Sequence, residues 1–84
     1  MTRIDKLYAR ILASPGSSLT FREFEKLLRA FGFEHGRTTG SHMIWVHPQL
    51  TRPLPVQRSG KEAKPYQVRE FLELIEEHGL YIGA

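Results

Sequence analysis

The stretch Thr39-Gly40-Ser41-His42-Met43-Ile44-Trp45-Val46-His47-Pro48 limits what this chain can become more than any other part of it. A glycine-centred turn feeds a run of β-branched and aromatic residues that a proline ends, which is the pattern of a buried strand bounded by turn signals. The remainder reads as support for that strand or as charge arranged beside it. His42, just after the turn glycine at the mouth of the strand, is the leading candidate for chemistry.

The flanking segments supply that support. Ile4, Leu7, Tyr8, Ile11 and Leu12 recur at helical spacing, with Thr2 and Asp5 set as a capping box, and Ser14-Pro15-Gly16-Ser17-Ser18 ends this first helix. It is either an added support for the core or a partly independent arm. A second helix opens at Thr20, whose hydroxyl can accept from the Glu23 amide while the Glu23 side chain reaches back. Phe21, Phe24, Leu27, Leu28 and Phe31 form its apolar stripe, and Gly32 stands where a left-handed terminating residue is wanted. Phe33 to Thr38 reads as a short, weaker strand, followed by the Thr39-Gly40 turn and the central strand. Leu54 and Val56 share one face while Pro53 and Pro55 lack donors, so Arg52 to Gln57 is predicted to be an edge strand. A last helix starts near Pro65, with Val68, Phe71, Leu72 and Ile75 inward and Glu70, Glu73, Glu76 and Glu77 outward. The expected fold class is α+β, a three-stranded antiparallel meander with helices packed on one face.

Composition removes several function classes. The chain has 84 residues and no cysteine, so it is one small domain without a disulfide framework or a thiolate metal site. No apolar run approaches the roughly 18 residues of a spanning helix, which predicts a soluble, cytoplasmic protein with no membrane partner. No His, Asp and Glu cluster has metal-ligand spacing, and His42 and His47 point to opposite faces of a strand, so neither metal nor cofactor is expected. The net charge of +3 is unevenly spread: residues 38–64 carry four basic groups and one acidic, and residues 65–84 carry one and four. That asymmetry points to a polyanion-binding surface around the strands, unless the charge merely solubilises. Arg58, Lys61 and Lys64 gather before the last helix, where free amides and the helix dipole favour phosphate. Arg37 adds a further basic group beside the turn.

The succession of a helix ending in Leu28 to Phe33, a strand, Thr39-Gly40-Ser41-His42, Trp45, His47-Pro48, Leu54-Pro55-Val56 and a lysine-bearing loop before a last helix resembles the HicA family of toxin mRNA interferases over about residues 20–80. The resemblance implies a fold like double-stranded-RNA-binding domains (α-β-β-β-α), cleavage of mRNA, and neutralisation by a HicB antitoxin. It puts the family's catalytic histidine on His42 and its motif glycine on Gly40. The expected organisation is a single domain, 1–84, with an N-terminal helix and linker at 1–18 and a HicA-like core at 19–80. Met43, Ile44 and Val46 stand where the family often has histidine or basic residues on the strand.

RNA carries its own nucleophile, the 2′-hydroxyl, so a site that positions the adjacent phosphate and moves protons needs no metal. On that reading His42 transfers the proton, Gly40 lets the backbone approach the phosphate and Ser41 donates a hydrogen bond. Arg37, Arg58, Lys61 and Lys64 hold RNA phosphates. A non-catalytic RNA-binding domain would use the same surface. A protein-interaction module would use the acidic last helix or the apolar strand instead.

Overall fold

The helices form where apolar residues recur at helical spacing. The computed structural model describes residues 4–14, 19–40, 42–57 and 60–82. In chain order these give α1 (Ile4–Ala13), α2 (Phe21–Ala30), β1 (Glu34–Thr39), β2 (His42–Val46), β3 (Leu54–Gln57) and α3 (Pro65–His78). The three strands make one antiparallel sheet in the order β1-β2-β3. The α+β class and the three-stranded meander are as the sequence indicates, and the architecture is consistent with the double-stranded-RNA-binding-domain-like fold of HicA.

At the start of α2, the Thr20 hydroxyl accepts from the Glu23 amide (3.1 Å) and the Glu23 carboxylate accepts from the Thr20 amide (3.0 Å), closing a reciprocal capping box. The Thr20 backbone amide, followed by the hydroxyl donor and Arg10, holds the Glu23 carboxyl below the usual carboxylate range, against an opposing contribution from burial. At the other end, Gly32 takes φ 93° and donates to the Arg29 carbonyl, while Phe33 donates to that of Leu28. This is a Schellman closure, which needs a residue free to adopt positive φ. It turns the chain directly from α2 into β1.

The core lies between the helices and one face of β2 and β3. Trp45, Leu54 and Val56 from the sheet meet Phe24, Leu27, Leu28, Phe31, Val68 and Phe71 from the helical layer, all nearly fully buried. Phe71 is the hub, with its ring 5.5 Å from Phe24, 5.5 Å from Phe31 and 6.0 Å from Phe33. Edge-to-face packing of this kind adds to the area buried. α1 belongs to the same core: Leu7 and Ile11 are buried in it, Tyr8 packs edge-on to Phe31 at 5.0 Å, and Arg10 pairs with Glu23 at 3.6 Å. The helix is an added support, not an arm. Thr2, and the linker from Pro15 to Ser18, lie outside the described residues.

The central strand departs from expectation in one respect. Only Trp45 of β2 is buried; Met43 and Ile44 are half-buried, and Val46 is 41% exposed. The reason is that helices cover one face only, so Ile44 and Val46, which alternate with Met43 and Trp45, face out. β1 is exposed along its whole length and carries a bulge between His35 and Arg37. It overhangs the helical layer.

His47 ends the strand as a structural residue. Buried at 6% exposure, its Nε2 donates to the Phe31 carbonyl (2.9 Å) and its Nδ1 accepts from the Gln49 amide (3.0 Å). It therefore satisfies a carbonyl that the end of α2 would leave unpaired and fixes the turn into β3.

Candidate functional site

Pairing of Thr39 with His42 leaves two positions between β1 and β2, the first of them Gly40, which is the spacing of a tight hairpin. Such loops take positive φ at their first position, and Gly40 has φ 61°. A Cβ added there meets nothing within 4 Å, so the backbone conformation, not crowding, selects glycine. Ser41 lies outside the described residues. The turn delivers His42 as the first residue of β2, with its side chain exposed and no hydrogen-bond partner among the described residues.

The register identifies its neighbours. Thr39 of β1 and Gln57 of β3 lie directly opposite His42 on either side. Directly opposed residues share a sheet face, so Thr39, His42 and Gln57 form one row across the uncovered side of the sheet. Arg37, Ile44 and Pro55 form the next row, placing an exposed guanidinium diagonal to the imidazole. Lys64, the residue before α3, donates from Nζ to Gln57 Oε1 at 3.2 Å. Gln57 thereby neighbours both the exposed His42, across the strand pair, and the Lys64 ammonium, through a hydrogen bond.

Of the two described basic groups expected before the last helix, Lys64 reaches this row and Lys61 does not. Lys61 lines a separate hollow with Thr20, Phe21, Arg22 and Glu25 at the start of α2, and its carbonyl accepts from the Phe21 amide at 2.8 Å. The pairing of residues 61–63 with 19–21 turns it that way. Arg58 lies outside the described residues.

Two residues of this region escaped sequence reasoning. Gln57 does so because one polar residue after an edge-strand Leu-Pro-Val carries no local signal. Gln67 sits on α3 among the inward positions and is only 5% exposed; its side-chain oxygen accepts from the Gln57 amide (2.7 Å) and its nitrogen donates to the Gln57 carbonyl (3.1 Å). It completes the open edge of β3 as another strand would. Its place next to Val68 was the available hint: a polar residue at helical spacing from Phe71 falls within the buried stripe.

The imidazole of His42, the guanidinium of Arg37 and the ammonium of Lys64 are side chains of the kind that contact an extended anionic polymer. Among the described residues no group of three or more His, Asp or Glu side chains is arranged to hold a metal ion, and no helix is long and apolar enough to cross a membrane.

No curated protein and no solved structure matches the chain. A family model described as "HicA toxin of bacterial toxin-antitoxin" matches residues 21–79, from the first residue of α2 to the end of α3, and so spans the sheet, His42, Gln57 and Lys64. With well over half of its length matched, and with the fold that the match implies, the chain belongs to the HicA family of bacterial toxins.

Proposed function

We propose that the protein is the toxin of a type II toxin–antitoxin pair, a metal-independent endoribonuclease that cleaves mRNA in the cytoplasm with His42 as its acid–base group. The observation that carries this reading is the exposed imidazole of His42, delivered by a positive-φ glycine to an uncovered sheet face beside uncancelled positive charge. Residues 19–80 are the toxin core on this reading and α1 is its brace. In the reaction, His42 takes the proton of a 2′-hydroxyl as O2′ attacks the adjacent phosphorus. The bond from phosphorus to the 5′-oxygen breaks, and that oxygen leaves with a proton from solvent. The products are a 2′,3′-cyclic phosphate and a 5′-hydroxyl; Arg37 and Lys64 are basic contacts for the RNA phosphates.

A HicB-like antitoxin is the expected partner. Val46 at 41% exposure and half-buried Ile44 offer apolar contact beside the basic row, so an acidic protein seated on this face would cover His42. The test is cleavage of end-labelled mRNA by wild type and His42→Ala in excess chelator. Cleavage by the wild type alone, leaving cyclic-phosphate ends, is expected. Equal cleavage by both proteins, loss of activity in chelator, or 5′-phosphate products would refute the mechanism. RNA bound but left intact by both would instead mark a non-catalytic RNA-binding domain.

A further inference from the structure

We propose that Lys64, held in place by Gln57, is the phosphate-binding cation of the His42 site itself, so that the reacting phosphodiester lies between imidazole and ammonium. The inference rests on the reading of His42 as the acid–base group and assigns it a partner. Gln57 is the positioning residue.

Four observations converge on this. Gln57 is the cross-strand neighbour of His42, and opposed residues keep their Cβ atoms about 4.5–5.5 Å apart. The Lys64 ammonium lies 3.2 Å from Gln57 Oε1 and 5.9 Å from the centre of the Tyr66 ring, so an amide oxygen and an aromatic face both steer it. Both holders are neutral, and among the described residues no carboxylate pairs with Lys64; the cation is located without being cancelled. Lastly, Lys64 occupies the N-cap of α3 with no side-chain capping bond, where Ser, Thr, Asp or Asn would stabilise the helix. A position that breaks a local rule in favour of a half-buried cation held by a neutral amide is where a functional group is to be looked for.

The support beneath reinforces the assignment. Both backbone polar groups of Gln57 are tied to the buried Gln67 amide, which fixes the strand end from which the Gln57 side chain reaches Lys64. As O2′ attacks, negative charge grows on the non-bridging phosphate oxygens, and a pre-placed ammonium stabilises that charge more than the ground state. Lys61, turned toward α2, has no part in this step.

The experiment pairs binding with kinetics on the full chain. Inorganic phosphate is titrated into isotopically labelled protein while the His42 ring and the Lys64 and Gln57 side chains are followed by NMR. The three are expected to respond together with one saturation curve, and Lys64→Ala is expected to abolish the His42 response. Gln57→Glu keeps an acceptor for Lys64 but cancels its charge, so phosphate affinity should fall while thermal stability is kept; a merely structural Gln57 would be rescued by Glu.

With a ribodinucleotide carrying a single phosphodiester, Lys64→Ala should lower kcat roughly a hundred-fold, as loss of one oxyanion-stabilising group does, with KM little changed. Gln57→Ala should lower it about ten-fold, the equivalent of one hydrogen bond to a charged group. Lys26→Ala on the exposed side of α2 serves as the control for general loss of positive charge. Phosphate that moves neither His42 nor Lys64, or moves them independently, overturns the proposal whether or not the protein cleaves RNA. A dinucleotide kcat unchanged in Lys64→Ala overturns it while leaving His42 catalysis standing. Absence of any cleavage by the wild type overturns the nuclease reading, and the phosphate titration then decides the shared anion site alone.

Discussion

Replacing Gln67 by Met should loosen the β3 edge under the candidate site without opening a cavity. Methionine has nearly the length of glutamine and offers only a weakly accepting sulfur, so what is lost is the pair of hydrogen bonds to Gln57, at 2.7 and 3.1 Å. Each is worth about 0.5–1.5 kcal/mol net, and an amide or carbonyl left unpaired in a buried place costs about 1–3 kcal/mol. Gln57 is half-buried, so water can reach part of the freed edge and the full penalty does not apply. The added apolar burial of methionine offsets a further part.

A net loss of about 2 kcal/mol follows. For a chain of this size the total is about 4–13 kcal/mol at about 0.05–0.15 kcal/mol per residue, so the variant folds but melts about 8–16 °C lower. Urea unfolding supplies the free energy, and native-state hydrogen exchange supplies the location. The Gln57 amide should lose its protection while Leu54 and Val56, which pair with Trp45 and Met43 of β2, keep theirs. A Gln67→Met variant within about 0.5 kcal/mol of wild type, with the Gln57 amide still protected, would refute the view that this side chain completes the sheet edge.

Two further perturbations test how the core is assembled. Because the Thr20 amide above all holds the Glu23 carboxyl below its ordinary value of 4.5, Glu23 is ionised more readily in the folded chain than in the unfolded one. Its contribution is present above that unfolded value and is lost as pH falls through the lower folded one. The stability gap between wild type and Glu23→Gln, measured by urea midpoint, should be constant near neutrality and shrink between about pH 4.5 and more acidic solution; a gap independent of pH would exclude the carboxylate cap. Ile11→Ala removes a fully buried side chain of α1 and should cost about 2–5 kcal/mol, enough to leave the protein marginal or unfolded by thermal melting. No measurable loss would mean that α1 moves independently of residues 21–79.

The elements themselves were legible because each has a local cause. Thr20 with Glu23 starts α2, the apolar spacing of Phe24, Leu27, Leu28 and Phe31 names its inward face, Gly32 stops it, and Pro65 starts α3. Gly40 before His42 foretold the tight turn, since few residues other than glycine enter left-handed backbone without cost. Prolines 53 and 55 marked an edge strand, because a residue without a donor cannot sit between two others. All of these are decided within a few residues of one another along the chain.

What lay beyond the sequence is the set of facts that depend on which face of the sheet the helices cover. The apolar character of Ile44 and Val46 reads as burial in the sequence, yet both lie on the open side. Strand alternation puts the two histidines flanking the strand on opposite faces, but only packing decides that His47 turns inward to cap α2 and His42 outward beside Gln57. Arg58, Lys61 and Lys64 read as one basic cluster, but the pairing of residues 61–63 with 19–21 carries Lys61 toward α2, while Lys64 turns to Gln57. Periodicity and capping are short-range, so the sequence by itself determined the helices, the strands and the turn that presents His42. Register and the choice of covered face are settled only when distant segments meet, and so it was the tertiary structure that decided which charged and polar groups stand beside that histidine.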